Sequence, residues 1–170
     1  MLKQKIQKIL NDQVNKEYYS SNLYLSMASW AENKGLEGVA NWLYAQVEEE
    51  RMHMLKFLKF INERGGKAIV PAIKQPPMEF KDVYNLFDEV LKHEEYITAS
   101  INEIVAECFK EKDFSTHNWV QFFVTEQIEE ESSVRQIIDK LNLLGKEKNN
   151  LYLFDKDIMS LRTTGATTNQ

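Results

Sequence analysis

Cysteine occurs once in this chain of 170 residues, at Cys108. A single thiol cannot form an internal disulfide, a Cys-based zinc site or an iron–sulfur cluster, and a lone cysteine is expected as a small buried hydrophobe. No apolar run approaches the ~20 residues that span a bilayer. The opening MLKQKIQKIL is amphipathic and lacks a secretory h-region and cleavage site. A cytoplasmic location and no membrane partner are therefore expected. Basic residues number 21 against 26 acidic, a formal net charge of -5, which attracts cations and leaves no footprint for nucleic acid. Proline is limited to Pro71, Pro76 and Pro77 and glycine to six positions, all between or at the edges of long periodic segments. Nothing reads as a strand. A hydrophobic content of 43% suffices for one core, and a single domain over 1–170 is expected.

What is present is helical. Good helix formers with apolar residues at helical spacing fill segments of about 5–34, 36–64, 82–111, 114–144 and, shorter, 149–161. The short joints at Asn33-Lys34-Gly35 and Lys112-Asp113 make antiparallel hairpins of the first and second helices and of the third and fourth. The joint from 65 to 81 is different. A 30-residue helix is ~45 Å long, and about 17 extended residues reach ~56 Å. This joint can run the length of a bundle, making the second and third helices parallel. The polar tail TTGATTNQ is expected to fray.

A core stripe on a bundle helix steps alternately by four and three residues. On the third helix it reads Val83, Phe87, Val90, Glu94, Ile97, Ile101, Ile104, Cys108, with one carboxylate among small or apolar groups. The fourth helix runs Val120, Phe123, Gln127, Glu130, Val134, Ile137, Leu141, Leu144, and the second Val39, Leu43, Gln46, Glu50, His53, Phe57, Phe60. The first gives Leu10, Val14, Glu17, Ser21, Tyr24, Ala28, Ala31. Each intruding group lies near the midpoint of its helix, and midpoints of aligned helices coincide whichever way each runs. Glu17, Tyr24, Glu50, His53, Glu94, Gln127 and Glu130 should meet in one layer.

Four ionised, unpaired carboxylates in an apolar layer would be several kcal/mol too unfavourable, so they must shift their pKa values or hold cations. Four Glu against one His favours iron or manganese over zinc. Glu50-Arg51-Met52-His53 places carboxylate and imidazole on adjacent turns of one face, where both reach a shared metal. Alone this spacing is weak evidence. With three further acids at bundle midpoints it has the layout of di-iron carboxylate bundles.

At this point the chain resembles the bacterial non-haem ferritins from about 5 to 162. The resemblance rests on NKEYYSSNLYLSMA around Glu17 and Tyr24, VEEERMHMLKF around Glu50 and His53, HEEYIT around Glu94, and TEQIEEE around Gln127 and Glu130. It implies an all-α, ferritin-like four-helix bundle with the long crossover and a short fifth C-terminal helix. It implies a first iron held by Glu17, Glu50 and His53, and a second reached by bridging Glu50 and completed by Glu94 and Glu130, with Tyr24 and Gln127 beside the pair. Glu49, Glu126 and Glu129 match the family's third iron position, with Glu130 shared. The implied activity is ferroxidase: Fe(II) oxidised with dioxygen or hydrogen peroxide, and ferric mineral stored in a cage of twenty-four copies. Haem is not expected, because Arg51 follows Glu50 where the haem-binding relatives carry Met. The rival readings are a bacterioferritin-like protein, a di-iron oxygenase and a metal-free structural bundle.

Plainer readings apply elsewhere. Glu48 and Glu131 are expected as solvated helical acids, and Glu49, Glu126 and Glu129 as clustered without being buried. His93 and His117 lie off the layer and are expected at the surface. Met52 and Met54 are read as packing or interface residues. Trp30, Trp42, Trp119, Tyr18, Tyr19 and Tyr44 exceed what one small core needs, so some should line subunit contacts.

Overall fold

The computed structural model describes residues 2–145 and 147–161. They form α1 (Gln4–Asn33), α2 (Glu37–Glu63), α3 (Val83–Glu111), α4 (Phe114–Leu144) and α5 (Lys148–Asp157), which passes into one 3-10 turn, Ile158–Leu161. The described residues contain no strand. The tail TTGATTNQ lies outside the described residues.

The helix ends follow local chemistry. Asp82 and Asp113 cap α3 and α4, each carboxylate accepting from the backbone N–H three residues on, at Asn85 and Thr116. Gly35 turns the chain out of α1 at φ +74°, a conformation that L side chains rarely adopt. Both Asp113 carboxylate oxygens also accept from the one nitrogen Arg64 Nη2, at 3.1 and 3.3 Å. One carboxylate thus starts α4 and fastens it to the end of α2.

The long joint runs along α1. Asn11 bonds the backbone at Lys67 and Ile69, and further on Ser26 Oγ donates to the Pro77 carbonyl at 2.6 Å. It delivers Phe80 to within 5.7 Å of the Trp30 ring at the far end of α1. α2 and α3 therefore start at the same end of the bundle and run parallel, as the length of the joint requires. The fifth helix seats on the start of α2. Asp155 Oδ1 accepts from the Val39 N–H at 2.9 Å, supplying a cap that Leu36 does not. Gly38 makes the approach possible, since a Cβ there would stand 1.7 Å from the Asp155 carbonyl oxygen.

The stripes face inward. Buried apolar side chains divide into two clusters, one toward the α5 end with Leu23, Trp42, Phe87 and Phe154, the other toward the start of α1 with Ile6, Phe57, Ile101 and Phe123. Cys108 is buried in the second. Trp30 and Trp42, expected in part at subunit contacts, are both buried in the first, whereas Met52 is exposed. No helix among the described residues is long and apolar enough to cross a membrane.

Candidate metal centre

Between the two apolar clusters, the four long helices contribute buried polar groups at their midpoints. Glu17 and Tyr24 come from α1, Gln46, Glu50 and His53 from α2, Glu94 from α3, and Gln127 and Glu130 from α4. One ligating atom each from Glu17, Glu50 and His53 lies within 4.8 Å of the others. Glu17 Oε2 and Glu50 Oε2 are buried without a hydrogen-bond partner. A buried acceptor left unsatisfied is destabilising by about 1–3 kcal/mol, more if charged, so two in one place point to a group that belongs between them. Oxygen and imidazole donors suit a first-row divalent ion such as iron or manganese.

Four of the other carboxyl oxygens in the layer are held by neutral donors. Gln13 Nε2 donates to Glu17 Oε1 at 2.7 Å and Gln46 Nε2 to Glu130 Oε2 at 2.9 Å. Glu94 accepts from the Tyr24 hydroxyl on Oε1 and from Gln127 Nε2 on Oε2, the latter at 3.0 Å. An amide aims a carboxylate without neutralising it. Burial therefore dominates: it raises Glu17, Glu50 and Glu130 well above the usual carboxylate range and raises Glu94, with neighbouring carboxylates adding to the effect on the first three. Tyr24 is pushed well up by the same burial and by the Glu94 charge.

A second cluster shares the histidine. His53 Nδ1 lies 3.7 Å from Glu50 Oε2, and Nε2 lies 3.9 Å from Glu126 Oε2. Ligating atoms of Glu49, His53 and Glu126 fall within 4.8 Å of one another. Glu49 and Glu126 are each 8% exposed, which corrects the expectation that helical spacing clusters them without burying them. The His53 ring beside them packs edge-on against Phe122 and Phe123. Glu129 is exposed and adds only its charge beside Glu126.

Two further expectations are corrected. His93 is half-buried, because the rings of Tyr19, Tyr24 and Tyr96 stand about 6 Å from its own and Ser20 Oγ lies 2.7 Å from Nε2. Burial pushes its pKa down to about 4, so it is neutral at pH 7. Glu131 is not a freely solvated acid, since Thr98 Oγ1 donates to it at 2.6 Å and Arg135 pairs with it. Gln13, whose amide donates to Glu17, is the buried partner of the layer that the stripe pattern does not single out. Its signal was its place one helical turn before Glu17, beside the stripe rather than on it.

A bundle of this topology with a carboxylate-rich midplane defines the ferritin-like class. A family model described as "Ferritin-like domain" matches residues 7–144. The chain is 44% identical to a Haemophilus influenzae protein named "Probable bacterial non-heme ferritin-like protein", over 96% of this chain and 99% of that one. It is 41% identical to a bacterial non-heme ferritin of Campylobacter jejuni, over 95% and 96%. An open pore ferritin from the hyperthermophilic archaeon Archaeoglobus fulgidus superposes with a TM-score of 0.92 at 42% identity, over 96% and 99% of the two chains. The chain belongs to the ferritin-like domain family.

Proposed function

We propose that this protein is an iron-storing ferritin and that the midplane layer is its ferroxidase centre. Fe(II) is the substrate. Glu17, Glu50 and His53 take the first ion, Glu50 bridges to a second, and Glu94 and Glu130 complete the pair, with Tyr24 and Gln127 holding Glu94 in place. Two ferrous ions supply the two electrons that, with two protons, reduce dioxygen to hydrogen peroxide. The carboxylates favour the ferric product by neutralising its added charge, and the apolar clusters on either side keep bulk water from the pair. Glu49, Glu126 and Glu129, with Glu130 shared, take a third iron. Haem has no part in this reading. The whole chain acts as one domain in the cytoplasm, and twenty-four copies enclose the ferric mineral.

The observation that carries this reading is the pair of orphaned oxygens, Glu17 Oε2 and Glu50 Oε2, buried beside His53 in the polar layer between two apolar clusters. The test is aerobic addition of Fe(II) to the apoprotein, with oxygen uptake and particle size followed on one sample. Rapid oxygen consumption by a large closed particle is expected. A monomer or dimer would remove the storage role, and oxidation at the uncatalysed rate would remove the ferroxidase centre.

A further inference from the structure

Outside the residues already assigned, one buried polar chain leads from the protein surface to the layer. Lys16 Nζ donates to Ser100 Oγ, Ser100 Oγ donates to Gln13 Oε1, and Gln13 Nε2 donates to Glu17 Oε1 at 2.7 Å. Ser100 is 4% exposed and Gln13 1%. Lys16 is half-buried, with its ammonium 5.3 Å from the Tyr96 ring. The chain crosses from α1 to α3 and back, so it also ties together the two helices that carry Glu17 and Glu94.

The direction of every link is set by the first. An ammonium has three donors and no acceptor. Facing Lys16, the Ser100 oxygen must accept, so its single hydrogen has to be given elsewhere. The partner it finds is the Gln13 carbonyl. With that oxygen engaged, the amide can present only its NH2 to Glu17, and it therefore occupies Oε1 as donor. The oxygen left over is Oε2, the one that is buried, unpartnered and grouped with Glu50 and His53. The reverse amide orientation would set a carbonyl against an ionised carboxylate oxygen and take from the Ser100 hydrogen its acceptor on Gln13.

We infer that Gln13 is a positioning residue for metal capture, and that Lys16 and Ser100 set its orientation so that Glu17 offers one defined oxygen to the first metal position. This inference rests on the metal-binding reading above. Supporting groups of this kind are worth about 10–100-fold in metal affinity. They act here without placing any charge in the layer.

Co(II) is a suitable probe, titrated into assembled apoprotein and read by visible absorption and calorimetry, with Glu50→Leu/His53→Leu as the control lacking the centre. Gln13→Leu should weaken the tightest Co(II) site about 10–100-fold and alter its ligand-field bands. Ser100→Ala should weaken it by roughly threefold to tenfold, the scale of one neutral hydrogen bond, and Ser100→Thr, which keeps the hydroxyl, should restore it. Adding Ser100→Ala to Gln13→Leu should bring no further loss, because Ser100 acts only through the amide. Wild-type affinity and bands in Gln13→Leu, or a Ser100→Ala loss that persists in full without Gln13, would overturn the inference. Should Gln13→Leu fail to fold, the Ser100→Ala and Ser100→Thr pair decides alone. A wild type that binds no Co(II) beyond the control removes the metal-site reading itself. Tight wild-type binding that Gln13→Leu leaves untouched removes only the positioning role.

Discussion

The two carboxylate clusters that meet at His53 use the same chemical groups in different settings. Around Glu17 and Glu50 the acids lie in the core stripes, and among the described residues they are partnered by neutral amides, the Tyr24 hydroxyl, the imidazole and one another. Around Glu49 and Glu126 a cation is already at hand. Lys56, with its ammonium 3.5 Å from the Phe122 ring, acts on both acids, and exposed Glu129 lies beyond them. The inner cluster therefore has to hold protons or metal, whereas in the outer one the Lys56 charge offsets part of the burial that raises Glu126. Burial decides how strongly a carboxylate site calls for a metal, and a nearby cation decides how readily it does without one.

The strongest way to break this contrast is to remove the inner site. Replacing Glu50 and His53 together with leucine should lower rapid aerobic Fe(II) oxidation by more than about 100-fold, since losing a ligand exceeds the loss of a supporting group. The apoprotein should keep its fold, with an unfolding midpoint equal to or above wild type, because a buried carboxylate crowded by others has been taken away. Stopped-flow absorbance and thermal denaturation with chelator check the two halves. A variant that unfolds while its folded fraction oxidises iron normally would place the chemistry elsewhere.

A smaller effect should appear on changing pH. Glu17, Glu50, Glu94 and Glu130 have folded pKa values raised above the ordinary 4.5, chiefly by burial. Below 4.5 the folded and unfolded chains are protonated alike at these positions. As pH climbs above that, the unfolded chain releases protons that the folded chain retains, so the stability present at low pH is lost as pH rises through the folded values. The chelated apoprotein should therefore melt lower at pH 8 than at pH 5.5, by on the order of 5 °C, and a divalent metal should reverse the trend. Melting curves for Glu49→Ala/Glu126→Ala should keep most of this slope. Its disappearance would locate the strain in the outer cluster instead.

Two gentler changes address the outer cluster. Glu126→Ala/Glu129→Ala should alter the ratio of iron oxidised to dioxygen consumed while leaving the first rapid oxidation in place, as an oxygen electrode would record. An unchanged ratio would return these acids to an ordinary solvated role. Lys56→Gln, by removing the competing cation, should tighten Zn(II) binding there by about fivefold, the scale of a partly exposed charge interaction. Calorimetry on the Glu50→Leu/His53→Leu background would give no signal if the shared His53 is indispensable, so the comparison belongs in the protein with His53 intact.

Much of this is legible in the order of residues alone. The alternating stripe placed Glu94 among Val90, Ile97 and Ile101, and all four are buried together on α3. The span of 65–81 foretold a parallel α2 and α3, because a joint that long is needed only when the chain must return to the end from which it came. Glu49 and Glu126 were less legible. Helical spacing says which residues share a face but not how near a neighbouring helix comes, and only in the folded chain do Glu49 on α2 and Glu126 on α4 come within ligating reach of one another and of His53.

By itself, then, the order of residues determined the helices, their connections and the layer at which carboxylates interrupt the core. Those properties follow from the period of one helix and the length of its joints, both of which are local. Only the tertiary structure decided the rest: that Asp155 caps α2 from another helix, that three tyrosine rings stand about 6 Å from His93, and that hydrogen bonds link Lys16, Ser100 and Gln13 to Glu17. Each depends on atoms from helices far apart in the chain meeting at hydrogen-bond or ring-contact distance. A donor has meaning only once its acceptor is within reach, and that distance is set by packing.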